Sequence, residues 1–111
     1  MKLKIAAIFP LCAVLAGCLV NTQSGRGPLT LSPQVEEAYQ RYLETETPLA
    51  FAVSTDGQWA SYVYCPDRGP CIGGERAKAV EYCERSGKTC HIYDHMGRIL
   101  WRTDLPPLPE S

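Results

Sequence analysis

The spacing of apolar residues predicts one helix and two strands in the first half of the chain. After Ser32-Pro33, a typical helix cap with proline in the first turn, apolar residues recur three and four apart until a break before Pro48. Residues 49–54 and 58–65 are predicted to be strands, and Asp56-Gly57 between them is a strong hairpin signal. The second strand carries aromatic residues on both faces, which indicates that its outer face is covered or used.

The second half of the chain repeats this order. Residues 75–86 are predicted to form a helix that Gly87 ends, residues 90–94 a strand, and residues 98–102 its hairpin partner. The order α-β-β-α-β-β predicts an α+β fold, a small two-layer sandwich. In it, both helices cover one face of a mainly antiparallel sheet stapled by disulfides.

The segments on either side of the predicted domain, residues 33–103, differ from it in composition. Residues 18–32 are polar, contain glycine and proline and show no period, so they are expected to form a flexible tether. The fourteen residues after Cys18 would have an r.m.s. reach of about 20 Å. Residues 104–111 are proline-rich and are expected to be frayed. The chain is therefore expected to hold one domain between two mobile segments.

The N-terminal leader has the pattern of a signal peptide. Lys2 and Lys4 precede an uncharged, mostly apolar run over residues 5–17, which is shorter than the ~20 residues of a spanning helix. The run ends in the small residues that a signal peptidase requires. A retained anchor or a buried core helix are the alternatives, but a core helix would show an amphipathic period. Residues 1–17 are therefore predicted to be removed.

The end of the leader, Leu15-Ala16-Gly17-Cys18, resembles the lipobox of bacterial lipoproteins. The resemblance covers residues 1–18 only. It implies cleavage before Cys18, a diacylglyceryl group on the Cys18 thiol and acylation of its amine, an anchor that holds a protein firmly. In Gram-negative lipoproteins an Asp after the cysteine favours the inner membrane, and this chain has Leu19. The resemblance therefore favours the periplasmic face of the outer membrane.

The charge balance excludes some partners. Without the leader, the chain keeps nine of its eleven basic residues and all twelve acidic ones, a formal charge of −3. That balance argues against nucleic acid as a partner and against an electrostatic hold on anionic lipid. The lipid on Cys18 is then the predicted source of membrane affinity.

Four cysteines remain after Cys18, namely Cys65, Cys71, Cys83 and Cys90. An even number in a short exported domain predicts a disulfide framework with three possible connectivities. The pairs Cys65–Cys71 and Cys83–Cys90 are favoured, because each is close in sequence and closes over a plausible turn. Residues 51–101 also resemble small cysteine-paired domains of uncharacterised exported bacterial proteins, which supports the second pair.

A metal site is the alternative use of these cysteines, with His91 and His95 as further ligands. The spacing C-x5-C-x11-C-x6-C lacks the short knuckles of structural zinc sites, so neither a metal nor another cofactor is predicted. By alternation His91, Tyr93 and His95 share one face of a strand, where a metal or proton-sensitive patch is conceivable. Exposed histidines beside a turn are the simpler interpretation.

The sequence contains no catalytic motif of the common hydrolase, metalloprotease or nucleotide-binding kinds, so no enzyme is predicted. Its most individual feature is the loop between Cys65 and Cys71, which would present Asp67, Arg68 and Gly69 on a rigid turn. The predicted function is therefore a lipid-anchored binding or structural module of the envelope. The alternatives are a loop that inhibits an envelope-acting hydrolase, a metal-binding module, or a turn stapled only for stability.

Overall fold

The computed structural model describes residues 22–66, 71 and 73–109. Within them the chain forms two helices and four strands, which are α1 (Pro33–Leu43), β1 (Pro48–Ser54), β2 (Ala60–Tyr64), α2 (Glu75–Glu84), β3 (Cys90–His95) and β4 (Arg98–Ile99). The strands pair antiparallel in the order β2-β1-β3-β4. The predicted α+β class, element order and antiparallel sheet are confirmed. In the described part of the chain, no helix has the length and apolar character needed to cross a membrane.

The two helices lie on opposite faces of the sheet, not on one face as predicted. Along the central strand β1, Ala50 and Ala52 pack with α2, whereas Phe51 and Val53 pack with α1. All four side chains are buried, so β1 is apolar on both sides and each side needs its own cover. The sheet is therefore the middle of three layers rather than one side of a two-layer sandwich.

A β-bulge near the end of β3 changes the face on which its last residues lie. Ile92 pairs with Ala52 and Asp94 pairs with Phe51, so Tyr93 is the extra residue of the bulge. The extra residue places Asp94 on the same face as Tyr93, which is the face that carries α1. Simple alternation would have placed it on the α2 face.

Residues 22–32, which we call the N-terminal strap, are bonded to the folded domain. Ile92 donates its N–H to the carbonyl of Gln23 at 3.0 Å and accepts the N–H of Gly25 at 2.9 Å. The prediction of a flexible tether is therefore wrong for the strap, because these backbone groups belong to the edge of the sheet. Residues 18–21 of the predicted tether lie outside the described residues.

Strand β4 is shorter than the predicted strand over residues 98–102, because only Arg98 and Ile99 pair regularly with β3. Leu100 and Trp101 both donate their N–H groups to the carbonyl of Tyr93, at 2.8 and 3.3 Å, which ends the regular pairing. Arg102 instead pairs with the strap. Its N–H donates to the carbonyl of Gly25 at 3.0 Å, and its carbonyl accepts the N–H of Gly27 at 3.0 Å. The strap therefore takes over hydrogen bonds that the prediction had given to a longer hairpin.

The C-terminal segment closes over the strap. The Trp101 ring lies against Gly25, where a Cβ would overlap it, and the Trp101 Nε1 donates to the carbonyl of Gly27 at 2.9 Å. Pro107 packs on Gly27, which has a φ of 104° and no room for a side chain. The tail over residues 104–111 was expected to be frayed, but it contacts the folded unit as far as Pro107.

Both favoured disulfides are present. Cys65 and Cys71 are bonded with their Cα atoms 5.9 Å apart, and Cys83 and Cys90 are bonded at 6.2 Å. The second bond joins α2 to the start of β3 and is fully buried. The predicted connectivity is therefore confirmed. The four cysteines that the alternative metal site would need are bonded to each other in disulfides.

Candidate binding groove

The turn between β1 and β2 presents Trp59 on a rigid frame. The hydroxyl of Ser54 accepts the N–H groups of Gln58 at 3.2 Å and Trp59 at 2.9 Å, and it donates to Asp56 at 2.6 Å. Gly57 lies in this turn with a φ of 74°, and the Ser54 N–H closes the turn by donating to the carbonyl of Trp59 at 2.8 Å. The connection therefore has four residues, 55–58, and not the two of the predicted hairpin. The turn therefore holds the backbone of Trp59 by side-chain bonds as well as by strand pairing.

Neighbouring segments tie the same turn down from two sides. Lys88 Nζ lies 2.7 Å from Asp56 Oδ2, and this bond, with those from Ser54 and Gln58, lowers the pKa of Asp56 to about 2. On the strap side, Ser32 donates its N–H to the carbonyl of Gly57 at 2.9 Å. Lys88 thus neutralises the charge of Asp56, and the bonds from Lys88 and Ser32 hold the turn in place.

A groove with a volume of about 460 Å³ lies beside this turn, between α1 and the start of β2. Three residues of α1 and three of the turn and β2 line it: Gln34, Val35, Ala38, Gln58, Trp59 and Ala60. Trp59 is 49% exposed, an unusual position for the largest side chain. The described lining carries no charged side chain.

The groove combines the aromatic ring of Trp59, three apolar side chains and the amides of Gln34 and Gln58. Helix α1 is capped by Ser32, whose hydroxyl accepts the N–H of Val35 at 3.2 Å, so the first turn is fixed where Gln34 lies. Within the described residues, neither the Gln34 nor the Gln58 side-chain amide makes a hydrogen bond. Each amide can donate and accept. The groove can therefore offer polar pairing beside an apolar ring.

A second cluster, centred on a buried carboxylate, lies on the same face of the sheet. Asp94 is fully buried, and it accepts the hydroxyls of Tyr39 and Tyr42 at 2.6 Å each and the N–H of Gly97 at 2.8 Å. Burial, with the hydrogen bonds to Asp94, raises the pKa of both tyrosines well above the usual value of 10. This network fastens α1 and the β3–β4 turn to the bulge.

The histidine face predicted by alternation does not exist, because the bulge at Tyr93 separates its members. His91 is buried against the Trp101 ring on the α1 face. His95 pairs with Ala50, a residue of the α2 face, and its Nε2 lies 3.5 Å from a carboxylate oxygen of Glu75. The described residues contain no group of three or more histidine, cysteine or acidic side chains that could hold a metal ion.

Two other predicted sites lie outside the described residues. These are the lipidation site Cys18 and the partner-contact triplet Asp67, Arg68 and Gly69. The bonded cysteines at the two ends of the triplet's loop are described. Both predictions stay as they were made from the sequence.

One pattern in the sequence pointed to the groove, namely the aromatic residues on both faces of the second predicted strand. The pattern did not identify Gln34 or the part of α1 that faces the strand, because the alternation of residues along a strand does not show which helix covers it. Comparisons of the chain with protein-family models, with curated proteins and with solved structures gave no match. The groove therefore has to be interpreted from its own chemistry.

Proposed function

We propose that the protein is a lipid-anchored lipoprotein of the bacterial envelope, on the periplasmic face of the outer membrane, whose domain is a binding module. The observation that carries the binding role is Trp59, a half-exposed ring on a fixed turn beside an uncharged groove. A ring that projects from a fixed backbone binds at a smaller cost in conformational entropy than a ring on a mobile loop. The lining groups suit binding rather than catalysis, because the described lining contains no titratable or nucleophilic side chain.

The anchoring part of the proposal rests on the lipobox resemblance at Cys18. Two disulfides fit an exported domain, since such bonds persist in oxidising compartments. The folded part begins no later than Thr22, whose carbonyl accepts Arg76 Nη2 at 2.7 Å. Four residues span at most about 14 Å. An acylated Cys18 would therefore hold the domain close to the lipid head groups.

A Cys18→Ser variant tests the anchor. We expect the variant to keep the leader by mass spectrometry, or to be released from the membrane, while the folded domain keeps its circular dichroism spectrum. The wild-type chain should carry a mass increment for acyl groups after loss of residues 1–17. A mature-sized variant that stays in the membrane fraction would contradict the anchor without bearing on the groove.

A second candidate is docking of the Cys65–Cys71 loop into a partner, such as an envelope-acting hydrolase that it would inhibit. The confirmed disulfide favours it, because a closed loop lowers the ordering cost of binding. Pull-downs from solubilised envelope with wild type, Trp59→Ala and Arg68→Ala separate the two surfaces. Loss of capture only in Trp59→Ala supports the groove, and loss only in Arg68→Ala supports the loop.

A further inference from the structure

We propose that the groove between α1 and β2 binds a neutral saccharide, with a pyranose ring stacked on the exposed face of Trp59. The inference rests on the part of the proposed function that makes the groove a binding site, and it does not depend on the lipid anchor. Four properties of the groove support it: the absence of charge in its described lining, the exposed ring of Trp59, the amides of Gln34 and Gln58, and the volume.

The charge of the groove argues for a neutral ligand. Phosphates, nucleotides and acidic or basic peptides need an opposite charge or a set of N–H groups at the site. The described lining has neither lysine, arginine, aspartate nor glutamate. The nearest carboxylate of the turn, Asp56, is already paired with Lys88 at 2.7 Å. A charged ligand would therefore lose its hydration without gaining a partner.

The Trp59 ring and the two glutamine amides together favour a ligand that has both an apolar face and polar groups. A pyranose ring offers a flat C–H face, which suits the apolar face of an indole, and hydroxyls around its edge. Gln34 and Gln58 lie on the two walls of the groove, and their side-chain amides make no hydrogen bond to the residues that the structure describes. Hydroxyl or acetamido groups can satisfy both amides. A purely apolar ligand would cover these amides without pairing them, which is costly.

The size and the rigidity of the groove fit the same ligand class. A volume of about 460 Å³ lies within the ~300–1,000 Å³ usual for small-molecule sites and leaves room for a short oligosaccharide. Saccharides bring many polar groups that must be desolvated, so a site for them gains from being formed beforehand. The bonds from Ser54 to Gln58 and Trp59 supply that order.

The test is a titration of the full-length protein, in a zwitterionic detergent without a sugar head group, with the trimer of N-acetylglucosamine and with the trimer of glucose. The chain has two tryptophans, and Trp101 is buried, so a change in emission reports Trp59. We expect a saturable blue shift with at least one trimer, at a Kd of about 1 mM or lower. No shift and no heat with either trimer would overturn the proposal.

Variants locate the site. Gln34→Ala and Gln58→Ala should each weaken binding about tenfold in the emission titration, and Trp59→Ala should abolish the heat of binding in calorimetry. Tyr82→Ala is the matched control, because Tyr82 is similarly exposed (41%) but lies on α2, on the other side of the sheet. Binding that survives Trp59→Ala would overturn the site. Failure of all saccharide binding, with protein capture still lost in Trp59→Ala, would leave the binding-module proposal standing.

Discussion

The α2 face of the sheet is built from small aliphatic side chains, whereas the α1 face is built from rings. The α2 face contains Ala50, Ala52, Ala79, Val80, Ile92 and the buried Cys83–Cys90 disulfide. The α1 face contains Val35, Tyr39, Tyr42, Phe51, Val53, Tyr62, Tyr93 and Trp101. Both faces belong to the same strands, β2, β1 and β3, so the backbone of the sheet is common to them and the side chains differ.

The difference shows two ways of holding a helix on a sheet. Alanines on β1 and α2 allow the backbones to approach closely, and a covalent bond then fixes the distance. On the other face, Tyr39 meets Phe51 and Tyr93 edge-on with ring centroids 5.2 Å apart, and its hydroxyl reaches Asp94. That face is fastened by shape and hydrogen bonds, and it is the one that opens into the groove.

The largest effect should come from removing the central ring of the α1 face. Phe51 contacts four tyrosine rings, so Phe51→Ala should lower the free energy of unfolding by about 3–5 kcal/mol, measured by urea denaturation. Ile92→Val on the α2 face is the control, with an expected loss of about 0.5–1.5 kcal/mol. If Ile92→Val lowered the free energy of unfolding as much as Phe51→Ala, the proposed importance of the rings on the α1 face would be contradicted.

The covalent fastening of the α2 face is tested by the double substitution Cys83→Ala with Cys90→Ala. Reopening this loop should cost about 2.5 kcal/mol from chain entropy, and more because the sulfurs are buried. The pair Cys65→Ala with Cys71→Ala opens a loop of similar length, but Cys71 is exposed, so its loss should be smaller. A larger loss from the second pair would contradict this view of the α2 face.

Close packing on the α2 face should make it intolerant of larger side chains. Ala52→Leu adds three carbons where helix and sheet are in contact, and we expect a loss of about 1–3 kcal/mol. Thermal denaturation should show this as a fall in Tm of about 4–8 °C per kcal/mol. Ala38→Leu on the half-buried side of α1 should change Tm less, and a larger fall there would count against the comparison.

The smallest effect should come from Asp94→Asn, which keeps the shape of the cluster but removes the charge that Tyr39 and Tyr42 share. We expect a loss of about 1–2 kcal/mol at pH 7. The raised pKa of both tyrosines adds a pH dependence. Above pH 10 the unfolded chain ionises these groups while the folded chain keeps them protonated, so stability falls as the pH rises.

Urea titrations between pH 8 and 11 check that dependence. Below pH 10 the contribution of the two tyrosines should be fully present, and above it the wild type should lose stability steeply. The decline should be shallower in Asp94→Asn, since part of the pKa increase comes from the bond to this carboxylate. Parallel curves for the two proteins would show that burial alone raises the pKa.

Periodicity and spacing were sufficient for the elements and the disulfides, because these depend on residues close in sequence. They were insufficient for the layers. The apolar run of β1 fits burial on one side or on both, and the choice depends on where the helices pack. The bulge at Tyr93 was equally hidden, since one extra residue in a pairing leaves no mark on the strand that contains it. That single residue separated His91 from His95 and buried Asp94.

The strap was misjudged for a different physical reason. Its contacts are made by backbone groups of Gln23, Gly25 and Gly27 and by the ring of Trp101, far away in sequence. A polar, glycine-containing segment looks the same in composition whether its glycines give flexibility or allow close approach. The groove could be predicted only in part for a related reason. The aromatic pattern of the second strand indicated its strand side, whereas no pattern indicated the helix side at Gln34.

The strap also has a mechanical consequence. If Cys18 is fixed in a membrane, any force that draws the domain away from that membrane enters the fold through Thr22. The first bond under load is the one that the Thr22 carbonyl accepts from Arg76, and the two that Ile92 makes with Gln23 and Gly25 come next, followed by the two at Arg102. These bonds run across the strap to its neighbours, so a pull along the length of the strap loads them in shear. The sheet would therefore resist traction at the end where the chain is attached.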